Sequence, residues 1–388
     1  MTKRILVLNS QVDFWGAGRS CAMSLIALKE AGYEVMMLSA HEGPLWNLLQ
    51  TNGIRCISLP RSPWIYMRMP GNFAKRFLLR LRSAYNLICK MKPICGSIVS
   101  MLEVEGFKPD LIYSNTILEH HGPLLAKHYG VGHIYHIREF GKEDFQMHFT
   151  LGRMYSHRIA NKNLFTALCI SKGVENAWRH FFNGKTKLLY NGLPCESERF
   201  YPRQKHDSIL QMLLVGRIAP EKKQREVICA IERLVEEGNK DIHIDLYGSG
   251  VDEVELKQYV DSHQLNNYIS FCGFSHEIPY DKYDVAIMSS HHEGFGRTTI
   301  EYIFHSLPVI GYDGGATPEI IENETTGMLY NSMASLMQCI LFARDHYEVL
   351  NGFAENAFIT AKQRFTEELY KANFLKIIKQ VIDTKYEN

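Results

Sequence analysis

Ser289 to Glu322, reading SSHHEGFGRTTIEYIFHSLPVIGYDGGATPEIIE, leaves the chain little choice of fold. Within thirty-four residues it sets Glu293 and Glu301 eight positions apart, adds five glycines, and ends on a Pro308-Val-Ile310 strand signal. Asp284 to Met288, just before it, reads as a short buried strand. Glu293-Gly-Phe-Gly296 can continue neither strand nor helix, so Glu293 belongs on a loop. Thr298 and Glu301 have capping-box spacing, which predicts a helix from there through Phe304. The order is strand, tight loop, helix, strand. In an open parallel sheet such loops gather at the carboxyl ends of the strands, where ligands bind and a helix N-terminus offers N–H groups to an anion.

The rest of the chain repeats this rhythm. Lys3 to Asn9 reads as a buried strand, Trp15-Gly-Ala-Gly-Arg19 as a glycine loop, Ser20 to Ala31 as a helix and Gly32 to Leu38 as the next strand. Gly16 and Gly18 then stand at the first turn, where backbone can approach a phosphate or sugar. The full G-x-G-x-x-G is absent and no acidic residue closes the second strand, which argues against a dinucleotide fingerprint. Further strands are expected at 108–115, 132–139, 164–171 and 187–192. A helix is expected from Val174, and His136, Arg138 and Glu139 fall near a strand end. Residues 194–207 are polar and aperiodic, as a linker is. Beyond it come strands at 211–216, 241–247 and 268–273, and a helix from Gln224 to Glu236. Arg217 and Lys222 lie between a strand end and a helix start, where both can reach a phosphate pair. Ser335 to Lys385 is helical in character.

At 388 residues the chain has room for two α/β domains. The expected boundaries are 1–193, 194–368, and a C-terminal helix over 369–388 packing back on the first domain. The near-neutral total hides a polarity: residues 1–190 carry 24 Lys+Arg against 12 Asp+Glu, and the remainder 19 against 30. Residues 61–92 hold eight cations, among them Arg68, Lys75, Arg76, Arg80 and Arg82, and no acidic residue. Phe73, Phe77, Leu81, Tyr85 and Ile88 fall within an arc of about 120° on a helix. Such a helix either lies on an anionic membrane, with Trp64, Tyr66 and Met67 as apolar insertions, or packs its apolar face on its own domain. The nine cysteines show no metal spacing and read as reduced thiols of a cytoplasmic protein. Neither a signal-peptide core nor an eighteen-residue apolar run is present.

Val215-Gly-Arg-Ile-Ala-Pro-Glu-Lys222 and Glu293-Gly-Phe-Gly-Arg-Thr-Thr-Ile-Glu301, with Tyr190-Asn-Gly192, Cys169-Ile-Ser171, Gly314-Gly315, Pro318-Glu319 and Gly327, resemble the retaining glycosyltransferases of family 4. Gly16-Ala-Gly18, Ser114-Asn-Thr116 and His136-Ile-Arg-Glu139 match more loosely. The resemblance implies the GT-B fold, two Rossmann-like α/β domains with a cleft between them. It implies that Glu293 contacts donor-sugar hydroxyls, that Glu301 binds the ribose, and that Arg217 and Lys222 neutralise the diphosphate. The N–H groups from Phe295 through Gly296, Arg297 and Thr298 to Thr299 then add helix-end stabilisation. Gly18 lets the donor approach the first domain, and His136 lies near the transferred sugar. A nucleotide-sugar donor, with UDP as the expected nucleotide, a glycan or lipid-linked acceptor and an anionic membrane surface are the implied partners, with no nucleic acid, cofactor or metal; there is no Asp-x-Asp motif. Tyr302, Ser306 and Arg297 depart from the family pattern. The rival readings are a nucleotide-sugar epimerase of the same fold and a non-catalytic scaffold that binds a nucleotide sugar or lipid.

Overall fold

The computed structural model describes residues 2–10, 12–13, 16–59, 64–66, 73–205 and 208–384. The chain divides into two compact units, residues 1–192 with 368–388, and residues 193–367.

The first unit runs β1 (Arg4–Asn9), α1 (Gly16–Glu30), β2 (Glu34–Ser39), α2 (Leu45–Thr51), β3 (Arg55–Ser58), β4 (Ile65–Tyr66), α3 (Phe73–Val104), β5 (Leu111–Asn115), α4 (His121–Tyr129) and β6 (Gly132–Ile137). It continues with α5 (Lys142–Phe145), β7 (His148–Phe149), α6 (Arg153–Ala160), β8 (Leu164–Cys169), α7 (Lys172–Trp178) and β9 (Thr186–Leu188). Seven of these strands form a parallel sheet in the order β3-β2-β1-β5-β6-β8-β9. The apolar runs read from the sequence lie in it, Ile5 to Leu8 being fully buried.

The second unit runs β10 (Leu210–Val215), α8 (Gln224–Glu236), β11 (Ile242–Tyr247), α9 (Glu253–Ser262), β12 (Ile269–Gly273), β13 (Val285–Met288), α10 (Arg297–Phe304), β14 (Val309–Tyr312), α11 (Thr317–Ile320), β15 (Met328–Tyr330), α12 (Met333–Asp345) and α13 (Tyr347–Lys362). Its parallel sheet is ordered β12-β11-β10-β13-β14-β15. Val227, Ile228, Ala230, Ile231 and Leu234 of α8 bury one helical stripe against that sheet. The last helix, α14 (Glu367–Thr384), buries Tyr370, Phe374 and Ile378 in the first unit's core beside Leu25 and Leu28.

Each sheet reverses its order once, between β1 and β5 in the first unit and between β10 and β13 in the second. Connections leave for opposite faces at these points, so the loops after the paired strands diverge and open a crevice at their carboxyl ends.

Several local expectations are corrected. Gly16 and Gly18 lie in the first turn of α1 and not in a loop before it; the first-turn N–H groups lack intrahelical partners in any case, so glycine costs little there. Trp15 lies outside the described residues. α7 starts at Lys172, because Ser171 Oγ accepts from Val174 N and caps it. Trp64 is no membrane insertion. It is buried, donates from Nε1 to Ile117 O at 2.8 Å and stacks on His120. Helix α3 is longer than expected and runs through Pro93; it packs Leu87, Met91, Ile98 and Leu102 inward, while Leu81, Tyr85 and Ile88 are exposed. Met67 and Arg68 lie outside the described residues, as do the side chains of Tyr66, Phe73, Lys75, Arg76 and Phe77.

Two histidines of β6 are fully buried. Burial holds His133 down to about 3, and burial together with Arg138 holds His136 well below the usual histidine range. Both are neutral in the folded chain, whereas the unfolded chain protonates them near 6.5. The unfolded state therefore binds more protons below that pH, and stability present above about pH 6.5 is lost as pH falls. Each histidine adds a slope of about 1.4 kcal/mol per pH unit well below 6.5. Urea unfolding from pH 7 to 4.5 checks this: His133→Gln should remove about one such increment from the slope.

Gly248 has φ +140°, and a Cβ built there would lie 1.9 Å from Gly216 O, whereas a Cβ on Gly216 meets nothing within 4 Å. Gly248→Ala should cost at least about 2 kcal/mol in urea unfolding, and Gly216→Ala less than about 1 kcal/mol.

Candidate functional site

Within the second unit the loops after β10 and β13 meet. The chain leaves β10 at Val215, makes a short 3-10 turn at Pro220–Lys222, and enters α8 through Lys223 with φ +61°. Lys222 Nζ lies 2.6 Å from Glu293 Oε2, joining the two loops by an ion pair. Ser289 Oγ donates to Lys222 O at 2.7 Å and Ser290 Oγ to Glu221 O at 3.3 Å, so the backbones are pinned as well. His291 Nε2 lies 2.8 Å from Glu226 Oε2, and its ring stacks on Tyr312 at 3.7 Å. Glu293 is held from behind: Ala316 N donates to Glu293 O at 2.8 Å, and a Cβ on Gly315 would lie 2.5 Å from Glu293 N. Only glycine permits that approach.

Arg217 is exposed and paired with Glu221, while Gln224 Nε2 donates to Arg217 O at 2.9 Å. Both expected phosphate ligands thus already hold carboxylates, Arg217 that of Glu221 and Lys222 that of Glu293.

The capping box expected of Thr298 and Glu301 is not formed. Gly296, in the left-handed region with φ +89°, is the N-cap, and α10 starts at Arg297 without a side-chain cap. Starting at Arg297 puts Thr299 at the third helical position and Glu301 beyond capping reach. The first-turn N–H groups therefore lack a capping side chain, and Thr299 Oγ1 is buried without a hydrogen-bond partner among the described residues. Phe295 contributes backbone only, its ring being buried edge-on against Phe365. Tyr302 is fully buried, and its Oη accepts from Val215 N at 2.7 Å, bracing the end of β10. Ser306 has φ +58°, a conformation that favours glycine.

In the first unit, His136 is the centre of a buried polar network. Its Nδ1 lies 2.7 Å from Tyr113 Oη and 3.3 Å from Arg138 Nη2. Arg138 also donates from Nε to Asn115 Oδ1 at 2.7 Å and from Nη1 to Asn191 Oδ1 at 2.9 Å, while Asn115 Nδ2 donates to Asn9 Oδ1 at 2.9 Å. Gly16 is exposed and Gly18 buried, both in the helix that follows β1.

Sequence reasoning missed the part played by Ser289 and Ser290, and by Tyr113 and Arg138. The one available signal was polar residues directly after apolar strands, which marks a strand end without naming partners.

Residues 199–376 match the family model Glycosyl transferases group 1. The chain is 24% identical over 198 residues to the poly(glycerol-phosphate) alpha-glucosyltransferase of Bacillus subtilis (strain 168), covering 48% of this chain and 28% of that protein. It is 26% identical over 175 residues to the alpha-monoglucosyldiacylglycerol synthase of Acholeplasma laidlawii, covering 44% of each. The match therefore spans less than half the length of these relatives. Among solved structures, Anabaena HepE in complex with UDP superposes with a TM-score of 0.78 at 19% identity, over 97% of this chain and 100% of that one. A point mutant of S. aureus TarM, in complex with fondaparinux, alpha-GlcNAc-glycerol and UDP, gives 0.67 at 12% identity, over 98% and 100%. At these identities the likeness establishes the fold. The chain thus has two parallel-sheet α/β domains in the GT-B fold, and over residues 199–376, a little under half of its length, it is similar to Glycosyl transferases group 1.

Proposed function

We propose that the protein is a retaining glycosyltransferase of family 4 type that moves a hexose from a UDP-sugar to a lipid-linked or polysaccharide acceptor at the cytoplasmic face of a membrane. The observation that carries this is the meeting of Lys222, Glu293 and the uncapped start of α10 at the β10/β13 reversal. A carboxylate for sugar hydroxyls, a cation and a helix N-terminus are what a nucleotide sugar requires side by side. When the diphosphate leaves, negative charge develops on it, and fixed cations with helix-end N–H groups stabilise that charge more than the ground state. Lys222 and Arg217 exchange their carboxylates for phosphate oxygens on binding, which frees Glu293 to orient the sugar. With this charge supplied by the protein the reaction needs no metal, and chelator leaves turnover unchanged. The leaving phosphate assists deprotonation of the acceptor on the same face of the sugar. The names of the curated relatives, an alpha-glucosyltransferase acting on poly(glycerol phosphate) and a glucosyldiacylglycerol synthase, support acceptors of those classes.

The membrane part rests on α3. Leu78, Leu81, Tyr85 and Ile88 are 53–68% exposed. At about 100° per residue they share an arc of about 80°, with Lys92 inside it and Arg82 beside it. Apolar side chains flanked by cations suit the headgroup layer of anionic lipid. No helix among the described residues is long and apolar enough to cross a membrane.

Nucleoside-diphosphate release from a panel of UDP-sugars, with and without membrane extract, checks the reaction. Extract-dependent release is expected; donor isomerisation without release would indicate the epimerase, and binding without turnover the scaffold. Glu293→Ala should lower kcat about 100-fold or more. Unchanged transfer in Glu293→Ala alongside a dead Arg217→Ala would refute the role given to Glu293. Co-sedimentation with anionic liposomes should be salt-sensitive and should fall several-fold in the Leu81→Asp/Ile88→Asp double variant.

A further inference from the structure

Residues 194–207 read as a linker, yet Arg203 within them has a side chain only 10% exposed, and every N–H of its guanidinium has an acceptor. Nε donates to Ser306 O at 3.1 Å, and Nη1 to Tyr280 O at 3.0 Å and Tyr283 O at 3.3 Å. Nη2 donates to His305 O at 2.6 Å and, at 3.5 Å, to the fully exposed carboxylate of Asp281. Two of these carbonyls, those of His305 and Ser306, lie just past the last turn of α10. The helix ends in a Schellman turn, with Ser306 N donating to Ile303 O at 2.9 Å and Leu307 N to Tyr302 O at 3.0 Å. Carbonyls beyond that turn have no helical partner, and a cation there also faces the negative end of the helix dipole. Ser306 holds the left-handed position of the turn, where glycine is favoured, and its Oγ accepts from Tyr201 N at 3.2 Å. Asn351 of α13 fastens the backbone of Arg203, accepting from its N at 3.4 Å and donating to its O at 3.1 Å. Residues 201–203 thus close the carboxyl end of α10.

The helix they close is only eight residues long, about 12 Å from end to end. Thr299, Ile300, Tyr302, Ile303 and Phe304 are buried along it, so it shifts as one piece within its packed surroundings. Its amino end, Arg297, follows Glu293 by four residues. We infer that Arg203 is a positioning residue for the donor: by closing the carboxyl end of α10 it fixes the amino end of the same short helix, where the diphosphate of a nucleotide binds. The diphosphate rests on the transferase reading; the cap does not. Arg203 has no N–H left for a ligand and acts only through α10. Coupling of this kind is reciprocal, so a nucleotide held at the amino end tightens residues 201–203 at the other. The same coupling gives a reason for serine at 306, where glycine would relieve the backbone but offer Tyr201 N no acceptor.

Calorimetry with UDP, and hydrogen exchange read by mass spectrometry, test this on the full chain. In Arg203→Met the dissociation constant for UDP should rise about 10-fold at a temperature where the variant is folded. The amides of residues 201–203 and 305–307 should exchange about 10-fold faster or more. Arg203→Lys, whose ammonium has fewer donors in a different geometry, should fall between the two. Asp281→Asn should match the unaltered protein, because that carboxylate is solvated and stands 3.5 Å away. In the unaltered protein UDP should slow exchange at Tyr201 several-fold, and in Arg203→Met it should not. A merely structural arginine would lower the melting temperature and leave untouched both the UDP affinity of the folded protein and the effect of UDP on Tyr201. If Arg203→Met does not fold, Ser306→Gly carries the test. It removes the acceptor of Tyr201 N in a conformation that glycine prefers, so stability should hold while the protection of Tyr201 by UDP is lost. UDP affinity within about twofold in a folded Arg203→Met overturns the inference, as does exchange at residues 201–203 indifferent to bound UDP in the unaltered protein. A protein that binds neither UDP nor UDP-glucose, in which Arg203→Met still speeds exchange at 305–307, would overturn the donor reading and the positioning role with it, and leave the cap in place.

Discussion

The reversal of strand order at β10 and β13 is the constraint on which the second unit's loop cluster depends. Adjacent parallel strands whose connections leave in opposite directions cannot cover their own carboxyl ends, so two loops distant in sequence must share one opening. Lys222 and Glu293 meet because of it, and the Lys222–Glu293 pair then ties the opening shut at one point. Glu293 is only 17% exposed and Lys222 32%, so neither charge is fully solvated and each needs a counter-charge. On the proposed reading, an anionic ligand offers Lys222 an alternative partner while a polyhydroxyl sugar offers Glu293 one, and the pair is then a resting state of the site rather than a strut.

The first unit solves the opposite problem. Around His136 it buries a guanidinium in a nest of neutral dipoles: Asn115, Asn191, Tyr370 and the imidazole itself. A buried cation without a carboxylate against it is costly unless every N–H is satisfied, and here the partners come from β5, β6, α14 and the end of the first unit's chain. Densely hydrogen-bonded networks of this kind resist change, since removing one member strands the others.

How much of this was legible in the sequence follows from what is local. The strands were, because Ile5 to Leu8 or Met212 to Leu214 are apolar runs too short for helices and bounded by polar turns. So were Glu293 on its loop and the Arg217–Lys222 turn. Helix starts were less so: Thr298 and Glu301 have capping spacing, but the left-handed Gly296 begins the helix earlier and voids the pattern. Helical periodicity in α3 found a stripe of which Leu81, Tyr85 and Ile88 are exposed, the side chains of Phe73 and Phe77 lying outside the described residues, and left open whether it packs on its own domain or on a membrane; the inward residues Leu87, Met91, Ile98 and Leu102 follow a second stripe. Trp64 illustrates the same limit, since its partner Ile117 lies in the turn after β5, far along the chain. The Tyr113–His136–Arg138–Tyr370 network could not be read at all, being defined by tertiary contact.

The charge division of the chain acquires a different meaning once the site is known. Residues 191–388, which contain Arg217, Lys222 and Glu293, are the acidic half, with 19 basic against 30 acidic residues. Long-range attraction cannot draw an anionic nucleotide to such a surface, and at physiological ionic strength charges beyond about 8 Å are largely screened in any case. On the proposed reading, a nucleotide gains its affinity within hydrogen-bond range, from the start of α10 and from cations now held by Glu221 and Glu293. Those carboxylates would then set a threshold: a ligand must outcompete two intramolecular ion pairs, which a diphosphate with its paired oxygens does better than a single phosphate. On that reading the acidic surroundings act as a filter on which anions enter.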